Sequence, residues 1–453
     1  MFLSLCRRYI QDTAADFKVD RLVRFHHKVT AANFDSRSGR WRLAIAGQVA
    51  ITAGFLFNAA GYYDHAAGYL PRWPGTSAFK GQIVHPQHWT SDLDLARKRI
   101  VVIGSGATAI SLVPALVSLA GPAGHVTMLQ RTPTDVLSQP LTDPVACLLL
   151  AIQHYLGRFC PAFLSMLLHW TIRAHFIALT WIFFHVSRCF PTLARSLILM
   201  ANRAAVADKA RHFTPPYNVW DQRVCIDRDA QFLGCVQRKE VTLVTAHITT
   251  FTEDGIRLGP PVAAMGRDCA VDNGSTAGSE KLEGAGERAQ GGAQLDDMFL
   301  PADVVVTATG LRMQYFGAIT ITVDGKKVEA CETVINRNCF VSGLPNAAFL
   351  AGYWQGSWTL RLDITMGHVR RVLRRLDTLG ATLFVPVFDA ASNGGTEETI
   401  STCHLSSGYL QRGVDFFPRA GVAGAWQASD SPLHGYLRLW FADGDSNGGI
   451  VYR

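Results

Sequence analysis

Arg99-Ile100-Val101-Val102-Ile103-Gly104-Ser105-Gly106-Ala107-Thr108-Ala109-Ile110 is the stretch whose reading decides the fold. Ile100 to Ile103 form a short, continuous apolar run, the pattern of a parallel strand buried on both faces. The run breaks at Gly104-Ser105-Gly106, and an apolar helix is predicted from about Ala107 to Ala120. The pattern is GxGxxA. Gly104 permits a sharp turn, Gly106 lets backbone approach a pyrophosphate, and Ala109 keeps helix and strand close. Ser105, Ala107 and Thr108 complete the turn, whose free N–H groups favour an anion. A second strand, His125 to Leu129, follows at the spacing of a βαβ unit.

The end of that second strand selects the nucleotide. An acid there would hold the ribose 2′-hydroxyl of NAD. The sequence instead reads Leu129-Gln130-Arg131-Thr132-Pro133. A guanidinium beside a hydroxyl suits a 2′-phosphate, so Arg131 and Thr132 point to NADP(H).

Composition limits the alternatives. The chain has 453 residues, 48% hydrophobic and 17% charged, enough for two or three domains with large cores. The net charge of +7 is scattered without a dense basic tract, so nucleic acid is not implied. Ten cysteines show neither CxxC pairs nor accompanying His clusters, which signals neither a metal site nor a disulfide framework. They read as mostly buried free thiols of a reducing, cytoplasmic compartment. The apolar start Met1–Cys6 is too short for a signal peptide, and Arg7 and Arg8 follow it rather than precede it. Residues 1–20 read as a helix with Phe2, Leu5, Tyr9 and Ile10 on one face.

Alternating strands are expected at 22–25, 28–31 and 41–45, and a further strand from Ile51 to Asn58 runs into Ala59-Ala60-Gly61. Gly61 is a candidate for close backbone approach to a ligand. Beyond the second strand, residues 144–205 are strongly apolar and helical. Arg158, Arg173 and Arg188 divide them into runs shorter than the roughly 20 residues a bilayer span needs. A helical insertion packed on the nucleotide domain is the expectation, with peripheral membrane contact through 144–205 as the alternative. Strands are expected at 241–246, 248–251 and 255–258. Residues 259–298 are rich in Gly, Ala, Ser and acids and are expected to be disordered. The chain returns through a Val-rich strand into Ala308-Thr309-Gly310, and a helix is expected from about Ser357 to Leu379.

The connector carries Phe79-Lys80-Gly81-Gln82-Ile83-Val84-His85-Pro86-Gln87-His88-Trp89, which matches FxGxxxHxxxW. This resembles the fingerprint of Baeyer–Villiger monooxygenases within the flavin-containing monooxygenases. Thr90 departs from the Pro or Asp usual after the tryptophan. Further resemblance, to the subgroup that includes the ethionamide-activating bacterial enzyme, lies in Arg24–Val29, Val101–Ala109 and Tyr217–Arg223. It implies an α/β flavoprotein with two Rossmann-like dinucleotide-binding domains, one for FAD and one for NADP. It further implies that His85 fixes the domain angle, that Arg223 is the active-site arginine, and that Gly61, Thr309 and Gly310 lie at the FAD and domain junction. Gln222 stands where many relatives carry a lysine for the 2′-phosphate. The implied division is 1–78 as the first half of the FAD domain, 79–215 as the NADP domain and 216–380 as the second FAD half. Residues 381–453 remain as an extension without a chemical motif.

The resemblance also implies an expectation about what the sequence lacks. Relatives begin with a Rossmann unit whose GxGxxG turn binds FAD; here the one glycine fingerprint is 104–109. The FAD domain is therefore expected to be incomplete at its N-terminus, as in a fragment or a mis-started gene model. The implied activity is NADPH- and FAD-dependent insertion of one oxygen from O₂ into a small hydrophobic ketone, or oxidation of S or N atoms. The alternatives are an enzyme that oxygenates N and S only, or an inactive NADPH-binding remnant without FAD.

Overall fold

The computed structural model describes residues 2–156, 161–259, 298–354, 358–403, 405–428, 431–441 and 448–453. The segment expected to be disordered lies outside these residues apart from its ends, where Leu258 pairs with Met298.

A five-stranded parallel sheet organises the first unit. Its members are β1 (Gln82–Val84), β2 (Arg99–Ile103), β3 (His125–Gln130), β4 (Val241–Thr245) and β5 (Val304–Thr307), in the order β4-β3-β2-β5-β1. The register places Ile100 between Val126 and Val304. Helix α1 (Ala107–Ala120) presents Ile110, Val113 and Leu116 to one face of the sheet, where Ile100, Val102, Val126 and Val306 meet them. The short helix Gln231–Gln237 adds Phe232, Leu233 and Val236 to this layer. A three-stranded antiparallel sheet, 247–251, 255–259 and 298–301, covers the other face through Ile248, Phe251, Ile256 and Leu258. Two of the five strands come from residues assigned above to the second FAD half. The nucleotide sheet thus reaches beyond the expected boundary at 215, because β3 and β2 each need a parallel partner on their free edges.

The second unit gathers early and late segments. Strand Val29–Asp35 pairs antiparallel with Arg40–Ile45 and parallel with Thr320–Val323. Leu56–Asn58 pairs in parallel with Ala347–Phe349. The expected strand 51–58 is broken at Gly54-Phe55, and its two pieces join different sheets. Residues 22–25 form no strand. Lys18 and His26 adopt positive φ on either side, and Leu22 and Phe25 are exposed. Helix α5 (Trp358–Leu379) packs Val369, Val372 and Leu376 on Cys339, Phe340 and Phe384.

Helices α2 (Pro144–Leu156), α3 (Pro161–Cys189) and α4 (Pro191–Ala201) make up the apolar insertion. It is seated through Ala194 and Ile198 of α4, which pack on Val219 and Val224. Arg173, midway along α3, is ion-paired to Asp363 of α5 and donates to the Tyr436 hydroxyl at 2.6 Å. Helix α3 is long and apolar enough to cross a membrane by length and composition, and 6% of its apolar window is buried.

The thiols are less buried than composition suggests. Among the described cysteines, Cys225, Cys235 and Cys339 are buried, while Cys6, Cys147, Cys189 and Cys331 are exposed.

Candidate functional site

Gly104 adopts φ +131°, a conformation that side-chain-bearing residues rarely take. A Cβ there would lie 2.3 Å from the Ala308 carbonyl oxygen, so the turn is pressed against the end of β5. Gly106 caps α1 with no side-chain acceptor, and nothing stands within 4 Å of where its Cβ would be. Gly106, Ala107 and Thr108 are exposed, whereas Ala109 is fully buried against the sheet. The helix start therefore presents unpaired N–H groups to open space, with no acid in the first turn. Ser105 braces the turn by donating to the Thr132 carbonyl at 2.9 Å. Arg131 is exposed directly after β3 and makes no ion pair among the described residues. These residues fit a dinucleotide pyrophosphate together with a further anionic group.

The junction beside this turn is knitted by backbone contacts. Gly310 has φ +107°, and its carbonyl accepts the Tyr69 N–H at 3.0 Å. The Thr309 hydroxyl returns a bond to the Tyr69 carbonyl at 2.5 Å. His85 Nδ1 accepts the Gln87 N–H at 3.3 Å. That leaves Nε2 as the protonated nitrogen, 3.3 Å from the Gly310 carbonyl. Desolvation holds this imidazole below its ordinary pKa, and the nearby His88 adds to the effect. Gly68 makes room for the ring: a Cβ there would sit 2.0 Å from His85 Cε1.

Arg223 is half-buried in a loop held by Asn218, Asp221 and Ser406. Its surroundings are phenolic. Desolvation works against its charge, but the Tyr62, Tyr409 and Tyr63 oxygens outweigh it and hold the guanidinium above the ordinary arginine range. Among the described residues Arg223 makes no ion pair with the neighbouring Asp221 or Asp227; Asp227 accepts the N–H groups of Phe232 and Leu233. Arg223 is joined to the glycine turn through Cys225, whose Sγ lies 4.0 Å from the Ser105 carbonyl.

Tyr62, Tyr63 and Tyr409 escaped the sequence reading. The first two follow Gly61 directly, and that adjacency was the available signal. Tyr409 lies on α6 (Gly408–Gln411), in the extension read as lacking a motif. Its Cβ stands 3.6 Å from the Cβ position of Gly310.

Gly61, at φ +73°, opens toward Trp358 at 3.8 Å. Tyr62, Trp354 and Trp358 pack with ring centroids 4.6 to 5.1 Å apart at the start of α5. The cavity beside them, lined by Tyr315, Gly352, Trp354, Arg361 and Phe417, holds about 70 Å³. Ligand pockets ordinarily begin near about 300 Å³. The described residues thus fit a nicotinamide dinucleotide at Gly104–Ala109, and this small cavity does not by itself offer cofactor-sized space. No cluster that could hold a metal ion occurs among the described residues.

Comparison with known proteins agrees with this architecture. Residues 1–170 match the family described as flavin-binding monooxygenase-like. The chain is 35% identical over 425 residues to the FAD-containing monooxygenase EthA of Mycolicibacterium smegmatis, covering 92% of this chain and 76% of that protein. It is 32% identical over 436 residues to the probable FAD-binding monooxygenase AlmA of Acinetobacter baylyi, covering 95% and 77%. Among solved structures, a steroid monooxygenase bound to NADP superposes with TM-score 0.61 at 18% identity, over 98% of this chain and 84% of that one. A cyclohexanone monooxygenase bound to ε-caprolactone gives 0.61 at 16% identity, over 98% and 83%. With a GxGxxA turn on a five-stranded parallel sheet and identity above 30% sustained along nearly its whole length, the chain belongs to the flavin-binding monooxygenase family.

Proposed function

We propose that this chain is an NADPH- and FAD-dependent monooxygenase that delivers one oxygen atom of O₂ to a small hydrophobic ketone, or to a sulfur or nitrogen atom. The observation that carries the reading is a juxtaposition. The Gly104 turn touches Ala308, two residues before the Gly310 junction that faces His85, and Cys225 ties the same turn to Arg223. The flavin half rests on family membership rather than on the cavity described above.

Each residue has a physical task in this reading. The N–H groups at Gly106–Thr108 take the pyrophosphate. Arg131 and Thr132 take the 2′-phosphate. His85 donates from Nε2 to the Gly310 carbonyl and so holds the linker against β5. Arg223 supplies a fixed positive charge for oxygen atoms that become negative during the reaction, and its phenol lining keeps it charged. Titration of the full chain with NADPH and NADH, read as thermal stabilisation, tests the nucleotide assignment. Stabilisation by NADH alone overturns it. Conversion of a ketone to an ester separates a Baeyer–Villiger enzyme from one that oxygenates only N and S.

A second reading concerns the insertion. We propose that α2–α4 rest on a lipid surface. Exposed Leu148, Phe163, Leu167, Trp170, Trp181 and Ile182 support it, since isolated soluble domains rarely leave contiguous apolar patches of this kind in water. The tie from Arg173 to Asp363 and Tyr436 favours a helix lying along the protein over one crossing the bilayer. Co-flotation with anionic liposomes is the expected result; a protein that stays at the bottom of the gradient overturns it.

A further inference from the structure

The C-terminal segment brings a second arginine to the nucleotide site. Buried Leu410 anchors α6, and the Ser406 N–H donates to the Asp221 carbonyl in the Arg223 loop at 2.8 Å. Immediately after α6, the Arg412 guanidinium stacks on the Tyr69 ring, 3.6 Å from its centroid. Tyr69 is the residue whose backbone bonds to both Thr309 and Gly310. Ala308, one residue earlier, presses on Gly104. Arg412 therefore reaches the glycine turn through a short series of direct contacts.

Stacking fixes the direction of a planar guanidinium while leaving its N–H edge free for an oxyanion. Among the described residues neither Arg412 nor Arg131 has a carboxylate partner. Ser105 of that turn donates to the Thr132 carbonyl, next to Arg131, so the two arginines flank one turn. Desolvation, with the Arg131 charge as a further contribution, holds Arg412 below its ordinary pKa. Two like charges flanking one turn, with no carboxylate paired to either among the described residues, are relieved by a bound anion, and a phosphate monoester dianion matches both.

We propose that Arg412 and Arg131 together grip the 2′-phosphate of NADPH, so that the C-terminal segment sets coenzyme preference. This rests on the nucleotide reading given above. The test uses the full chain and calorimetric titration with adenosine 2′,5′-bisphosphate and with adenosine 5′-monophosphate, which differ by the phosphate in question. Arg412→Ala is expected to weaken the bisphosphate about tenfold, the scale of one charge-assisted hydrogen bond, and to leave the monophosphate unchanged. Arg412→Lys should recover part of the loss. Arg412→Gln, which keeps a stem over Tyr69, gives the same comparison should the alanine variant fail to fold. Bisphosphate affinity within twofold of the parent, while Arg131→Ala loses its preference, overturns the role of Arg412 and leaves the NADPH reading standing. Equal losses for both ligands also overturn it, by showing a structural role. A parent protein that binds the two ligands alike overturns both proposals.

Discussion

His85 shows how one side chain depends on its neighbours' lack of one. Its ring occupies the space that a Cβ on Gly68 would need, at 2.0 Å from Cε1. Gly68→Ala is expected to expel the ring from the Gly310 carbonyl and loosen the junction. The melting temperature should fall, and the fall should largely vanish when His85→Ala is combined with it, because the two changes share one contact. Arg223 makes a different prediction. Loss of a fixed charge that faces developing negative charge costs about 10²–10³ in turnover in comparable sites. Arg223→Ala should therefore lower kcat on that scale while NADPH affinity, measured by calorimetry, stays within about twofold, since Arg131 and the glycine turn hold the nucleotide. At this scale the sequence was legible where backbone geometry demands a residue type at a fixed offset, as in Gly104 with its positive φ against Ala308. It was silent on Tyr409 and Arg412, because a tyrosine and an arginine 100 residues beyond the last motif carry no local mark of their destination.

Helix α5 meets α7 (Pro432–Phe441) across a cavity of about 190 Å³ lined by Arg337, Arg361, His368 and Arg438. Burial, together with the Arg337, Arg371 and Arg438 charges, drives the His368 pKa down to about 3. The unfolded chain protonates this histidine near about 6.5, whereas the folded one stays neutral until about 3. The unfolded state therefore binds more protons throughout that window, and stability falls as pH drops from about 6.5 toward about 3. His368→Gln should flatten the acid limb of denaturant-derived stability over that range. Helix α1 offers a second test. Gly104→Ala combines a strained φ, costing about 1–3 kcal/mol, with a 2.3 Å encounter with the Ala308 carbonyl. Thermal stabilisation by NADPH should disappear in this variant. Elements of this kind were well marked in the sequence. β2, α1, β3 and β5 lie where their apolar runs predict, because each is buried and bounded by Gly or polar residues. Residues 22–25 alternate as a strand does yet stay irregular, since periodicity describes a face and cannot supply the partner that face requires.

The whole molecule joins distant segments at one seam. Residues near 60, 85, 105, 223, 310 and 410 converge there, while the strands that support them are shared between early and late parts of the chain. The family resemblance implied two nucleotide-type units, but the reach of the five-stranded sheet into residues 241–307 was hidden, because strand partners separated by over 100 residues leave no periodic trace. Stability should be correspondingly uneven. Residues 2–28 make almost only local backbone bonds and expose Tyr9, Phe17, Leu22 and Phe25, so their amides should exchange with deuterium far sooner than those of β2 and β5. Slow exchange there would contradict the arrangement. The cluster of Tyr62, Trp354 and Trp358 has an optical consequence. Indole rings centred 4.6 and 5.1 Å from the Tyr62 ring would pass their excitation to any isoalloxazine bound beside them. The ultraviolet emission of the protein is thus a built-in gauge of whether a chromophore has docked against those rings.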